Sequence, residues 1–126
     1  MPPSPFQYAI VRVVPRVERG ECVNAGVVLF CRPRRFLAAR AALDEQRVRA
    51  IASDVDVAAV RGHLDAFCRI AAGDAAAGPI AALPPSERFH WLVAPSSTII
   101  QCSPVHTGLT DDPAAELDHL VERLVE

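Results

Sequence analysis

Residues 21–31, ECVNAGVVLFC, carry the reading on which the fold turns. Their β-branched and apolar side chains spell a half-buried strand, yet Asn24 and Gly26 stand at its centre between two cysteines. A glycine inside a strand marks a bulge, or a place where another backbone or a ligand comes close. Asn24 shares a strand face with Gly26 unless a bulge intervenes, because side chains alternate with a period of two. Its amide brings two donors and an acceptor. Left without partners when buried, such a group costs about 1–3 kcal/mol. Asn24 therefore either ties down a neighbouring backbone or lines a surface that meets another molecule.

Working outward, residues 6–14, FQYAIVRVV, form a preceding strand that ends at Pro15, which has no N–H for a ladder bond. PRVERG is a loop with Gly20 free for positive φ, RPRR is the next turn, and FLAARAAL at 36–43 is a third strand. Short connections make these three an antiparallel meander. Asp44 then caps a short helix over 44–53, and Asp54 or Asp56 caps a longer one. In the latter, Val57, Val60, Leu64, Phe67 and Ala71 recur at helical spacing up to Gly73. GDAAAGPIAALPP is a loop of small residues, and SERFHWLV is a short helix opened by Ser86. STIIQCS, residues 97–103, is a fourth strand that rejoins the sheet, and SPVHTGLTDDP is a polar loop. Asp112 followed by Pro113 starts the last helix, whose stripe is Leu117, Leu120, Val121, Leu124 and Val125. The order predicts an α+β fold, one domain over residues 1–126, with an antiparallel sheet of about four strands and helices packed on one face.

The bulk composition narrows the class. A chain of 126 residues with 51% hydrophobic and 22% charged residues is globular in composition. No apolar run approaches the roughly 18 residues that span a bilayer. MPPSPFQYAIVRVV has neither a basic leader nor a small-residue cleavage site, so the expected location is the cytoplasm. Cys22, Cys31, Cys68 and Cys102 are then reduced, structural thiols, with no CxxC pair among them. All basic residues are arginines, and they are unevenly placed. Residues 1–43 carry a net charge of +5 and residues 44–126 one of −7, a dipolar arrangement that favours oriented association with a charged partner.

YAIVRVVPRVERGECVNAGVVLF, and RFHWLVAPSSTIIQCSPVHTGL with its trailing DDP, resemble an uncharacterised bacterial family, the domain of unknown function 3037. The resemblance runs in order along nearly the whole chain, and its specific parts are the Val-Asn-x-Gly strand and the Ser-Pro-Val-His-Thr-Gly loop. It implies no known reaction. Variation at the positions of Cys22 and Cys102 implies that these thiols are not catalytic. Neighbouring genes for kinases resembling the persistence kinase HipA imply an accessory or partner protein.

Candidate chemistry concentrates in residues 103–108. His106, with Ser103 and Thr107 beside it and Asp111 and Asp112 following, has the groups for acid–base work, and equally the groups for bracing a turn. Arg88 offers a fork for a carboxylate or phosphate, or a local ion pair. No zinc spacing, P-loop or GxGxxG is present, so neither metal nor cofactor is expected. Arg32, Arg34 and Arg35 on one turn could track phosphates, against which stand the net charge of −2 and the low aromatic content of 6%. The leading reading is a non-enzymatic protein-interaction module, with a HipA-like kinase as the implied partner. A small nucleic-acid-binding domain using Arg32, Arg34 and Arg35 comes second, and a hydrolase or transferase centred on His106 third. The binding candidates are Asn24, Gly26, Arg88, Ser103, His106, Thr107 and Gly108. The 103–111 loop is expected to close on the Asn24 end of the second strand, with Arg88 nearby.

Overall fold

A computed structural model describes residues 2–126 as five antiparallel strands and four α-helices. β1 is Ser4–Val13, β2 Val23–Cys31, β3 Phe36–Ala41, β4 Ile100–Cys102 and β5 His106–Thr110. The sheet order is β3-β2-β1-β4, and β5 also pairs with β1, alongside its N-terminal half. The α+β antiparallel reading therefore holds, with one strand more than the sequence suggested. Residues 106–110, expected as loop, are that strand. The ten-residue β1 outruns β4, and His106–Thr110 takes up the ladder positions opposite Ser4–Tyr8 that β4 leaves open.

The helices are α1, Glu45–Ile51; α2, Val57–Ala72; α3, Pro85–Val93; and α4, Pro113–Leu124. Side-chain carboxylates of Asp44, Asp56 and Asp112 accept the N–H of Arg47, Ala59 and Ala115, satisfying donors the first turn leaves free. Gly73 stops α2 in the left-handed conformation at φ 76°, which only glycine adopts without cost. Between α2 and α3 two 3₁₀ turns, Ala75–Ala77 and Pro79–Ala82, order what read as plain loop. Pro84 and Pro85, rather than Ser86, open α3.

One expectation needs correction: the helices cover both faces of the sheet. Val48 of α1, Val60 and Leu64 of α2, and Phe89 and Leu92 of α3 pack with Ala9, Val11, Val13, Val28 and Phe30. On the other face Leu117, Leu120 and Val121 of α4 pack with Phe6, Val27, Leu29 and Cys31. The physical reason lies in β2. Val27, Val28, Leu29 and Cys31 are all fully buried, so both of its faces need cover and one layer of helices cannot supply it. Among the described residues no helix is long and apolar enough to cross a membrane.

Candidate functional site

The bulge implied by Gly26 is present. Val11 faces Gly26 while Arg12 faces Asn24, so Ala25 is the extra residue on β2. The bulge turns Asn24 and Gly26 to opposite faces. Gly26 meets β3 so closely that a Cβ there would lie 2.6 Å from the Arg40 carbonyl oxygen and 3.2 Å from Ala41 Cα. Asn24 turns towards α4, and its Nδ2 donates to the Leu124 carbonyl oxygen at 3.0 Å. That carbonyl is one of those the last turn of a helix cannot satisfy internally. Arg47 does the same for Val125 at 3.0 Å.

The 103–108 residues do not meet Asn24. His106 pairs with Tyr8, and Tyr8 with Leu29, which places His106 four ladder positions along β1 from the Arg12–Asn24 pair. The expected convergence fails because residues 106–110 extend along β1 as a strand instead of folding back as a loop. Their side chains consequently diverge. Ser103 is buried, 3% exposed, where the edge passes from β4 to β5. Its Oγ accepts the Ile10 N–H at 2.8 Å, and its own N–H donates to the Ile10 carbonyl at 2.8 Å. The hydroxyl thus replaces the ladder bond that is lost where Pro104 and Val105 bulge out. Gly108 lies under the Phe6 ring, where a Cβ would stand 2.8 Å from two ring carbons. His106 is exposed on the α4 face with its ring centroid 5.3 Å from that of Tyr8. Thr107 alternates to the other face, and the Asp112 carboxylate is engaged in capping α4.

Arg88 is likewise structural in its contacts. Nη1 donates to the Leu83 carbonyl at 2.7 Å and Nη2 to the Ala71 carbonyl at 3.3 Å, tying α3 to the end of α2 and away from the α4 face. On the β2–β3 turn, Arg34 binds Ser4 Oγ and the carbonyls of Asp111 and Pro2, which fastens three remote segments together. Arg32 and Arg35 stay exposed, and Arg35 holds a left-handed φ of 51°.

The thiols are free. Burial pushes the Cys102 thiol up to about 12 against a weaker opposing pull from Arg12. Burial, and then the Asp65 carboxylate, raise that of Cys68. Neither is activated as a nucleophile. Among the described residues no three His, Cys, Asp or Glu side chains gather as metal ligands.

A feature that sequence reasoning missed lies on the opposite flank. α2, the end of α3 and residues 94–100 enclose an apolar groove of about 580 Å³, lined chiefly by Phe67, Ile70, Trp91, Leu92, Ile99 and Ile100, with His63 at its rim. Trp91, the only tryptophan, is 51% exposed there. The signal available in the sequence was the polar-to-apolar phase of ERFHWLV. Burying Phe89 and Leu92 leaves Trp91 pointing outward. Tryptophan is among the residues enriched at the energetic centres of protein interfaces.

Taken together, the molecule is an α+β domain with a five-stranded antiparallel sheet sandwiched between helices, whose distinctive polar residues brace the fold and whose open apolar cleft lies beside α3. The model of the family described as "Protein of unknown function (DUF3037)" matches residues 8–125, and the chain belongs to that family. Comparison with curated proteins gives no match, and comparison with solved structures gives none.

Proposed function

We propose that this protein is a protein-interaction module that engages its partner through the groove around Trp91. The single observation that carries the reading is the half-exposed indole at the mouth of the 580 Å³ apolar groove. A tryptophan left open to water in this way gains most when a partner covers it, since a buried aromatic side chain dominates interface energetics. The bonds of Asn24, Ser103 and Arg88 support the same reading, because each is already engaged by the chain's own backbone. The family resemblance puts a HipA-like kinase first among the partners to test.

The experiment compares tagged wild-type chain with Trp91→Ser in co-purification, followed by direct binding of the recovered protein to each purified form. Because Trp91 is half exposed, the serine variant should keep its fold, which circular dichroism checks. The expected result is one identified protein that binds wild type saturably and binds Trp91→Ser at least about tenfold more weakly, as for a typical anchor. Equal binding by both forms would remove the groove from the interface. Turnover of a substrate without any protein partner would overturn the module reading.

A further inference from the structure

We infer that the uncovered half of the α4 face is a second contact surface, built to receive an acidic side chain of a protein partner on Arg12. This inference rests on the module reading for its partner but concerns the face of the sheet away from Trp91. β1 sends Phe6, Tyr8, Ile10 and Arg12 to the α4 side. α4, however, packs over β2 and β3, and its cluster takes in Phe6 and part of Tyr8 but neither Ile10 nor Arg12. Across the ladder Arg12 stands between Gln101 and Asn24, and Tyr8 between His106 and Leu29. The result is an open strip with arginine at one end, two adjacent rings at the other and isoleucine between.

Arg12 is the feature that points to a ligand. Arg88 also has a buried Nε without a partner, but its Nη1 and Nη2 both bond backbone carbonyls, whereas no guanidinium nitrogen of Arg12 has a partner among the described residues. Arg12 is half-buried, and its Nε is fully buried with no hydrogen-bond partner among the described residues. A guanidinium cannot shed its charge, so a donor stripped of water and left unpaired carries an unmet demand for an acceptor. The chain does not answer it. Asp118 and Glu126, the acids at the covered side of this face, are both taken by Arg40, at 2.9 and 3.5 Å. Asn24 and Gln101, its cross-strand neighbours, turn their amide N–H groups to the Leu124 and Thr98 carbonyls, and neither amide oxygen accepts a bond from Arg12. With Nε enclosed, the groups open to an incoming partner are the two terminal Nη atoms, and what fits them is a carboxylate arriving from outside, which can take two parallel N–H bonds. Its desolvation cost is already partly met in the free protein, which favours a strong pair on docking. Ile10 and the Tyr8–His106 rings, 5.3 Å apart, would accept the apolar flank of the same segment. A polyanion such as nucleic acid fits less well, because tracking several phosphates needs several cations and this strip holds one.

The test follows the Arg12 Nε–H resonance in the ¹⁵N spectrum of the full chain. The probes are a terminally blocked Thr-Glu-Leu tripeptide, its Thr-Gln-Leu counterpart and inorganic phosphate. The inference expects a saturable shift of Arg12 with the Glu peptide, accompanied by Tyr8 and His106, and about tenfold weaker response to the Gln peptide. Arg12→Met, which keeps the apolar stem, should abolish the response while leaving the rest of the spectrum in place. Absence of an Arg12 shift, an equal response to both peptides, or a response to phosphate alone would overturn it. Partner binding offers a separable readout. A recovered partner that loses affinity for Trp91→Ser yet binds Arg12→Met as wild type refutes this surface and spares the module reading. The converse pattern supports this surface and refutes the groove.

Discussion

Replacing Gly26 with alanine should destabilise the protein, although the same change elsewhere stabilises it. The new Cβ would lie 2.6 Å from the Arg40 carbonyl oxygen and 3.2 Å from Ala41 Cα. Both are backbone atoms of β3, so no flexible side chain can swing aside. Restoring an ordinary contact requires β3 to retreat by several tenths of an ångström. Retreat strains the Gly26–Ala41 pairing and the adjoining bond from Ala42 N–H to the Ala25 carbonyl, 2.8 Å long. Overpacking of this kind costs about 1–3 kcal/mol, and weakening one backbone hydrogen bond adds about 1 kcal/mol. Against this, alanine lowers the entropy of the unfolded chain by about 0.4–1 kcal/mol and buries a methyl worth about 0.8 kcal/mol. The net is a loss of about 1–2 kcal/mol, or roughly 3–10 °C in Tm for a domain of this size. Gly62 in α2 supplies the control, because nothing lies within 4 Å of a Cβ there. Gly62→Ala should gain about 0.5–1 kcal/mol from helix propensity. Urea unfolding followed by circular dichroism measures both. A neutral or stabilised Gly26→Ala would refute the claim that the bulge brings β2 and β3 into backbone contact.

Other consequences are as direct. Ser103→Ala should cost about 1–3 kcal/mol, because the Ile10 N–H loses its side-chain acceptor at a residue only 3% exposed; urea midpoints decide it, and a neutral result would mean the hydroxyl bridges nothing of value. In a thiol titration of the native protein near neutral pH, exposed Cys22 should react first, while Cys31, Cys68 and Cys102 wait for denaturant. Because the Cys102 pKa is raised on folding, its neutral form is favoured in the native state. The associated stability is therefore whole below the unfolded thiol value and declines as pH climbs towards about 12, which an alkaline melt comparing wild type with Cys102→Ala would reveal. Asp74 has the opposite sign. The hydrogen bond from Arg69, and then the Ala76 N–H, lower its pKa, so its contribution is present above the unfolded carboxylate value and fades as pH falls through the native one. Asp74→Asn should flatten that acid limb.

The parts of this fold that were legible in the sequence were those set by local chemistry. Asp44, Asp56 and Asp112 each sit where an uncapped first turn needs an acceptor, and Gly20 and Gly73 where the backbone turns left-handed at φ 72° and 76°. Gly26 was legible as the mark of a bulge or of a close approach, and the structure has both, an extra residue at Ala25 and the β3 backbone 2.6 Å from where a Cβ would stand. What escaped was non-local. The stripe on α4 says that a face is buried without saying which side of the sheet buries it. Only the unbroken run of Val27 to Cys31 hinted that both sides were covered. β5 escaped because Pro104, His106 and Gly108 read as turn chemistry. Gly108 is there for a reason remote in sequence, the Phe6 ring of the paired strand that occupies the space of its side chain. The groove escaped because Phe67, Trp91 and Ile99 come from separate stretches that only packing brings together. Arg12 escaped because a missing partner leaves no pattern in a sequence.

The central claim, that this family member works by covering Trp91 with a partner, has a built-in reporter, since Trp91 is the chain's only tryptophan. Titrating the purified chain with the partner recovered by co-purification, selectively exciting its tryptophan in a tryptophan-free form of that partner, reads the site itself. The account predicts a saturable blue shift of the emission, with the same affinity that calorimetry gives, as the half-exposed indole leaves water. Saturable heat with an unchanged emission spectrum would contradict it.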